Sequence, residues 1–146
     1  MFTNDNLLEV SFGTSTLDDA NFANANLSGA TFSRNHGSDD TSTIAKAGFG
    51  YANLQNAKFD SIDFTQVVFE GANFKNTSFV KPQNLFNSQI KSACNWKKAS
   101  FFDNLPWADT EVIKKAHQAS QLYIEQLKQD KASNPKYSPD CSRWLS

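Results

Sequence analysis

Ile44-Ala-Lys-Ala-Gly-Phe49-Gly-Tyr-Ala-Asn-Leu54-Gln-Asn-Ala-Lys-Phe59-Asp-Ser-Ile-Asp-Phe64-Thr-Gln-Val-Val-Phe69-Glu-Gly-Ala-Asn-Phe74-Lys-Asn-Thr-Ser-Phe79 carries a large apolar residue at every fifth position without a miss. The same spacing runs through Leu7, Phe12, Leu17, Phe22, Leu27 and Phe32. Phe, Leu and Ile supply 28 of the 146 residues, fewer than one in five, so fourteen in-frame positions filled by them are not an accident. A helix repeats near 3.6 residues and a strand at 2, so a sustained period of five is neither and points to a stacked repeat.

Each unit has a second apolar position. Ala20, Ala25, Ala30, Ala47, Ala52, Ala57 and Ala72 stand two residues before their Phe or Leu, which sets both side chains on one side of a short extended segment. Val10, Ile62 and Val67 take that place in other units and are expected to widen those coils. The three remaining residues are rich in Asn, Asp, Ser, Thr and Gly, which tolerate turn geometry and bond nearby backbone. Ordering five residues costs roughly 5 to 10 kcal/mol of backbone entropy, whereas burying one Phe or Leu returns about 1.5 to 3. A lone unit is therefore unstable, and stacking with coil-to-coil hydrogen bonds has to supply the difference.

Ala-Asn-Phe-Ala-Asn, Ala-Asn-Leu-Ser-Gly, Ala-Asn-Leu-Gln-Asn and Ala-Asn-Phe-Lys-Asn, starting at Ala20, Ala25, Ala52 and Ala72, resemble the pentapeptide-repeat family. The resemblance spans roughly residues 5 to 101 and implies an all-β solenoid, a right-handed quadrilateral β-helix with four units per coil. Such coils, rising about 4.8 Å each, would set Leu7 under Leu27, Phe12 under Phe32 and Phe49 under Phe69. Gln89, Ile90, Lys91, Ala93, Asn95, Trp96 and Ala99 are similar to a segment that ends the repeats in cyanobacterial and plastid members. Ile90, Trp96 and Phe101 are expected to continue the inward side, with Trp96 closing the last coil and Cys94 a small buried filler.

The expected organisation is a β-helix over residues 1–102, a capping helix within 103–131 and a tail over 132–146. Between Phe32 and Ile44 the spacing is twelve, and the polar stretch over 33–43 reads as a loop leaving the coil. It is a tolerated surface insertion or a partner-contact loop, with Arg34, His36, Asp39 and Asp40 as candidate binding residues; metal ligation by His36 and the two aspartates is a weaker reading. From Asp109 to about Lys131 the period turns helical. Val112, Ala116, Ala119, Tyr123 and Leu127 form one stripe, joined by Ile113 and Leu122, with Asp109 as N-cap. The stripe is expected to cover the open coil or, with Trp107, to meet a second copy through an end of the solenoid, giving a monomer or a homodimer. Trp107, Tyr137 and Trp144 are the candidate C-terminal contacts, the last two docking back or binding a partner.

Charge divides unevenly: residues 1 to 80 hold nine Asp/Glu and four Lys/Arg, residues 81 to 146 hold six and ten. That excess is small for imitation of nucleic acid, and no lysine or arginine run suggests direct nucleic-acid binding. The residues from Met1 to Val10 lack a basic stretch followed by an apolar one, and no run approaches the roughly 18 apolar residues of a membrane span, so a cytoplasmic protein off the membrane is expected. The thylakoid lumen or periplasm is the alternative if a targeting segment has been removed. Cys94 and Cys141 do not form a disulfide framework by spacing; free thiols are the expectation and pairing the alternative.

His36 and His117 have no neighbouring nucleophile pattern or metal-ligand spacing, and no glycine-rich phosphate loop is present. No enzyme activity, cofactor or metal is expected. The expected function is a protein-protein interaction scaffold, regulatory or otherwise, whose partner is another protein. Resemblance to quinolone-resistance members supplies an alternative, mimicry of duplex DNA toward gyrase or topoisomerase, and a purely structural solenoid is the third reading.

Overall fold

The computed structural model describes residues 1–13, 16–33, 44–103 and 110–145. Five short strands, β1 (Ser11–Phe12), β2 (Thr31–Ser33), β3 (Lys58–Asp60), β4 (Ser78–Val80) and β5 (Ser100–Phe102), form one parallel sheet in chain order. Register places Phe12 on Phe32, Phe32 on Phe59, Phe59 on Phe79 and Phe79 on Phe101. Those steps are 20, 27, 20 and 22 residues, so four units make a coil and the second step absorbs seven extra residues between Phe32 and Ile44.

Three more columns of parallel bridges accompany the sheet. One joins Asn6, Asn26, Asn53, Asn73 and Cys94; another joins Asn21, Gly48 and Val68; a third joins Asp63 and Gln83. Backbone bonds run from coil to coil at each, as from Phe22 N–H to Gly48 C=O at 2.7 Å and from Leu27 N–H to Asn53 C=O at 2.8 Å. No single unit closes these bonds internally, which is the structural form of the stacking requirement.

The corners explain the five-residue period. Among the described residues of the regular units the backbone turns left-handed two residues after the inward Phe, Leu or Ile, at Asn4, Glu9, Asp19, Asn24, Gly29, Lys46, Tyr51, Asn56, Ser61, Gln66, Gly71, Asn76 and Lys81. A turn bond then closes, as from Ala25 N–H to Phe22 C=O and from Ala52 N–H to Phe49 C=O, both at 3.0 Å. Most of these residues are not glycine, and each non-glycine corner costs on the order of 1 kcal/mol that the stacked interior has to offset.

Inside, the rings form two columns. Phe12, Phe32, Phe59, Phe79 and Phe101 stack with centroids 4.6 to 5.3 Å apart. Phe2, Phe22, Phe49 and Phe69 stack at 4.9 to 5.4 Å and meet the first column edge to face. Phe22, Phe49, Phe59, Phe64, Phe74 and Phe79 have no solvent exposure, and Ile62 and Val67 are buried in the alanine position. Phe2, Leu7, Phe12 and Leu17, in the first coil, are only partly covered.

Beyond β4 a short helix, α1 (Asn87–Lys91), replaces a regular unit. Gln89 holds it: its side-chain oxygen accepts from Phe86 N–H at 2.7 Å, and its amide donates to the carbonyls of Phe64 and Val67 at 2.8 and 3.0 Å. Ile90 is fully buried and Phe101 continues the ring column, while Trp96 packs half-buried at the edge of the core.

The long helix α2 (Thr110–Gln129) lies against β5. Its buried residues are Ser120, Ile124 and Leu127, with Ile113, Ala116 and Tyr123 half-buried. The expected stripe is therefore only partly buried: Val112 and Ala119 stay exposed along an open groove beside the last coil, and Leu122 is exposed on the helix surface. The reason is polar as much as apolar. Ser120 Oγ accepts the edge N–H of Phe101 at 2.9 Å, and the carbonyls of Leu127 and Asp130 accept the Lys91 ammonium, both at 2.7 Å, which turns the 113–116–120–124–127 line inward. Asp109, the expected N-cap, lies outside the described residues.

Candidate interaction surface

With the rings inside, the outer faces and ends are what the fold offers. One face carries an asparagine ladder. Asn26 Nδ2 donates to Asn6 Oδ1 at 3.2 Å, Asn53 to Asn26 at 3.4 Å, Asn73 to Asn53 at 3.0 Å and Asn95 to Asn73 at 2.9 Å. The Asn26, Asn53 and Asn73 oxygens also accept the backbone N–H two residues on, so each side chain fastens its own corner and the coil beside it. The Ala-Asn-Leu and Ala-Asn-Phe motifs held this signal, because the residue between two inward positions points outward.

The C-terminal segment crosses a neighbouring face. Cys141 is disulfide-bonded to Cys94, with Cα atoms 5.7 Å apart, which overturns the expectation of free thiols and of Cys94 as a mere filler. Sequence spacing could not show this pairing, because α2 folds back to bring together residues 47 positions apart. Past the disulfide, the Trp144 indole N–H donates to Gly71 C=O at 2.8 Å. Arg143 Nη1 donates to Asn24 Oδ1 at 2.9 Å, and its guanidinium lies 4.7 Å from the Tyr51 ring centroid. Tyr51 in turn covers Gly71, where an added Cβ would run into three of its ring atoms.

That docking is thin. Backbone bonds at the end of the chain are local turns, Trp144 to Cys141 and Leu145 to Ser142, and a gap of about 400 Å³ separates Pro135, Lys136, Tyr137 and Pro139 from Val67–Glu70. Ordering a free segment of the twelve residues 134–145 costs on the order of 10 kcal/mol. Two hydrogen bonds and an exposed cation–π contact return a few kcal/mol at most. The covalent link therefore decides whether the segment stays in place.

Arg34, His36, Asp39, Asp40 and Trp107 lie outside the described residues. Tyr137 is 77% exposed, and Trp144 is half-buried on Gly71, so the structure separates these two rather than joining them in one patch. His117 stands on α2 with its ring edge-on to Phe102 at 5.3 Å. Among the described residues no group of three or more His, Cys, Asp or Glu is placed to hold a metal ion, and no helix is long and apolar enough to cross a membrane.

Three carboxylates are held below their ordinary range. Burial raises Asp63, but hydrogen bonds from Thr65 and Asn84 outweigh it; the Asn87 amide lowers Asp130, and the Ser142 N–H lowers Asp140. Burial pushes the Tyr123 phenol up, and its hydroxyl donates to Asn87 Oδ1 at 3.1 Å. An open groove of about 790 Å³ runs between α2 and the last coil, past Lys81, Leu85, Phe101, Val112 and Tyr123.

The family model for pentapeptide repeats matches residues 2–34 and 49–81, in eight copies. The chain belongs to the pentapeptide-repeat family over these segments. The two matched segments bracket the polar stretch that breaks the period, and pentapeptide repeats imply the β-helix solenoid whose parallel sheet is seen here. A comparison with curated proteins finds no match.

Proposed function

We propose that this pentapeptide-repeat chain is a non-enzymatic protein-interaction scaffold, a right-handed quadrilateral β-helix whose working surfaces are its outer faces. The observation that carries the reading is the division of labour along each unit. Phe and Leu are consumed in axial stacks, while Asn, Asp, Lys and Tyr are displayed in ordered rows five residues apart. Flat, rigid, polar rows at a fixed coil spacing suit recognition of another protein, in the way other solenoids present extended surfaces.

In this reading α2 caps the terminal coil. Tyr123 meets the end of the first ring column edge-on at 5.1 Å, and Ser120 takes an edge N–H that a further coil would otherwise pair. Such capping favours a monomer or contact through the other end. Five stacked strands rise only about 19 Å, which is short for imitation of duplex DNA across a large enzyme. The Cys94–Cys141 disulfide supports an oxidising compartment such as the periplasm or thylakoid lumen over the cytoplasm.

The test is a pull-down from native lysate prepared with thiols blocked, using the intact chain, a chain with the 33–43 stretch cut to a short turn, and a chain lacking 132–146. A stoichiometric protein partner captured by the intact chain and lost from one variant is the expected result. No such partner, or inhibition of gyrase supercoiling at micromolar concentration, overturns the scaffold reading.

A further inference from the structure

We infer that the segment 134–145 is a redox-controlled strap, fastened across the Asn24–Tyr51–Gly71 face by the Cys94–Cys141 disulfide and released when that bond is reduced. The bond joins the tail to the coil, not one coil to another. Each repeat column is closed by its own hydrogen bonds and ring stacks, so the solenoid does not depend on the link. The strap does, since among the described residues the polar contacts that tie it to the coil beyond the bond are two side-chain hydrogen bonds and the Arg143–Tyr51 stack, beside the half-burial of Pro135, Pro139 and Trp144, with an open gap beneath its middle.

Access sets the direction of attack. Cys94 is 1% exposed and Cys141 is half-buried, so the thiolate of a dithiol reductant reaches the Cys141 sulfur first. The protein S–S bond breaks, Cys94 departs as a thiolate and takes up a proton, and a mixed disulfide forms on Cys141. The second thiol of the reductant closes on that bond and frees Cys141 as a thiol. Two electrons and two protons pass to the protein, and the reductant ends as a disulfide. Lost with the bond is the covalent cross-link that fastens this end of the chain to the coil, and the Tyr51 ring and Gly71 carbonyl open to solvent.

The release is a property of the chain alone and stands whether or not the scaffold reading holds. It is tested on the full chain in three forms: oxidised, reduced and alkylated, and Cys141→Ser, which needs no reductant. The rate of tryptic cleavage after Arg143 is followed by mass spectrometry, and the thermal midpoint by circular dichroism. Cleavage at least tenfold faster in both thiol forms, with sites in the coil such as Lys58 and Lys75 still resistant, is the expected result. Equal cleavage rates in all three forms overturn the proposal, as does a chain that yields two free thiols when isolated without reductant. Loss of the folded coil in Cys141→Ser overturns it too, because the bond would then hold the solenoid rather than a strap.

Discussion

Gly71 stands at a corner with φ of 69°, beneath the Tyr51 ring, and its carbonyl receives the Trp144 indole. Alanine at that place pays the left-handed penalty of about 1 to 2 kcal/mol and pushes Tyr51 aside. Gly71→Ala is expected to cost about 2 to 3 kcal/mol by denaturant unfolding and to weaken the Arg143–Tyr51 contact, read as faster cleavage after Arg143 in the oxidised chain. Phe59, fully buried and stacked between Phe32 and Phe79, is expected to cost about 3 to 5 kcal/mol as Phe59→Ala, and Phe59→Asp should abolish cooperative melting. The inward role of Phe59 was plain from the period alone. That of Tyr51 was not, because a corner residue's partner is set by whichever coil lies beside it, and no spacing within one unit names the neighbour.

At the level of elements, α2 is fixed to the last coil chiefly at its C-terminal end. Lys91, 5% exposed, donates to the carbonyls of Leu127 and Asp130, and the Asp130 carboxylate accepts from Asn87 Nδ2 at 2.8 Å. Lys91→Met keeps the apolar stem but leaves two carbonyls without their donor, so a loss of about 1 to 3 kcal/mol is expected, with faster amide exchange concentrated in the last turns of α2. Asp130 and Asp63 both sit below the ordinary carboxylate value of 3.8. For a depressed group the folded state binds its proton more weakly than the unfolded one, so the contribution is full above about 3.8 and drains as pH falls through the folded values. Acid titration is expected to loosen α2 below that range, and Asp130→Asn should flatten the dependence; an unchanged acid profile in the variant would remove Asp130 from this anchor. The helix itself was legible in the 3.6-residue pattern, but its orientation was not. Ser120 and Lys91 turn the buried line away from Val112 and Leu122, and hydrogen bonds to a distant coil leave no mark on hydrophobic periodicity.

For the molecule as a whole, the five-residue period is what the sequence carried most openly, four units per coil came only with the family resemblance, and the disulfide was hidden. Period five and the twelve-residue gap between Phe32 and Ile44 together foretold one oversized step, and the register shows it as 27 residues from Phe32 to Phe59 against 20 from Phe59 to Phe79. The paired cysteines belong to two segments that meet only after α2 has reversed the chain, so nothing local announced them. The regular step gives the last prediction. Removing seven residues from 34–43 returns Phe32 and Ile44 to a spacing of five and the coil to 20. Loop-closure entropy changes by only about 0.6 kcal/mol per doubling of length, so the shortened chain should unfold within about 1 kcal/mol of the parent, slightly to the stable side, provided the new corner residue accepts a left-handed backbone. Asparagine is the residue to place there, as it serves at Asn24, Asn56 and Asn76. A loss above about 2 kcal/mol by denaturant unfolding would mean that the stretch contributes contacts of its own to the coil, and the surface-insertion reading would fall with it.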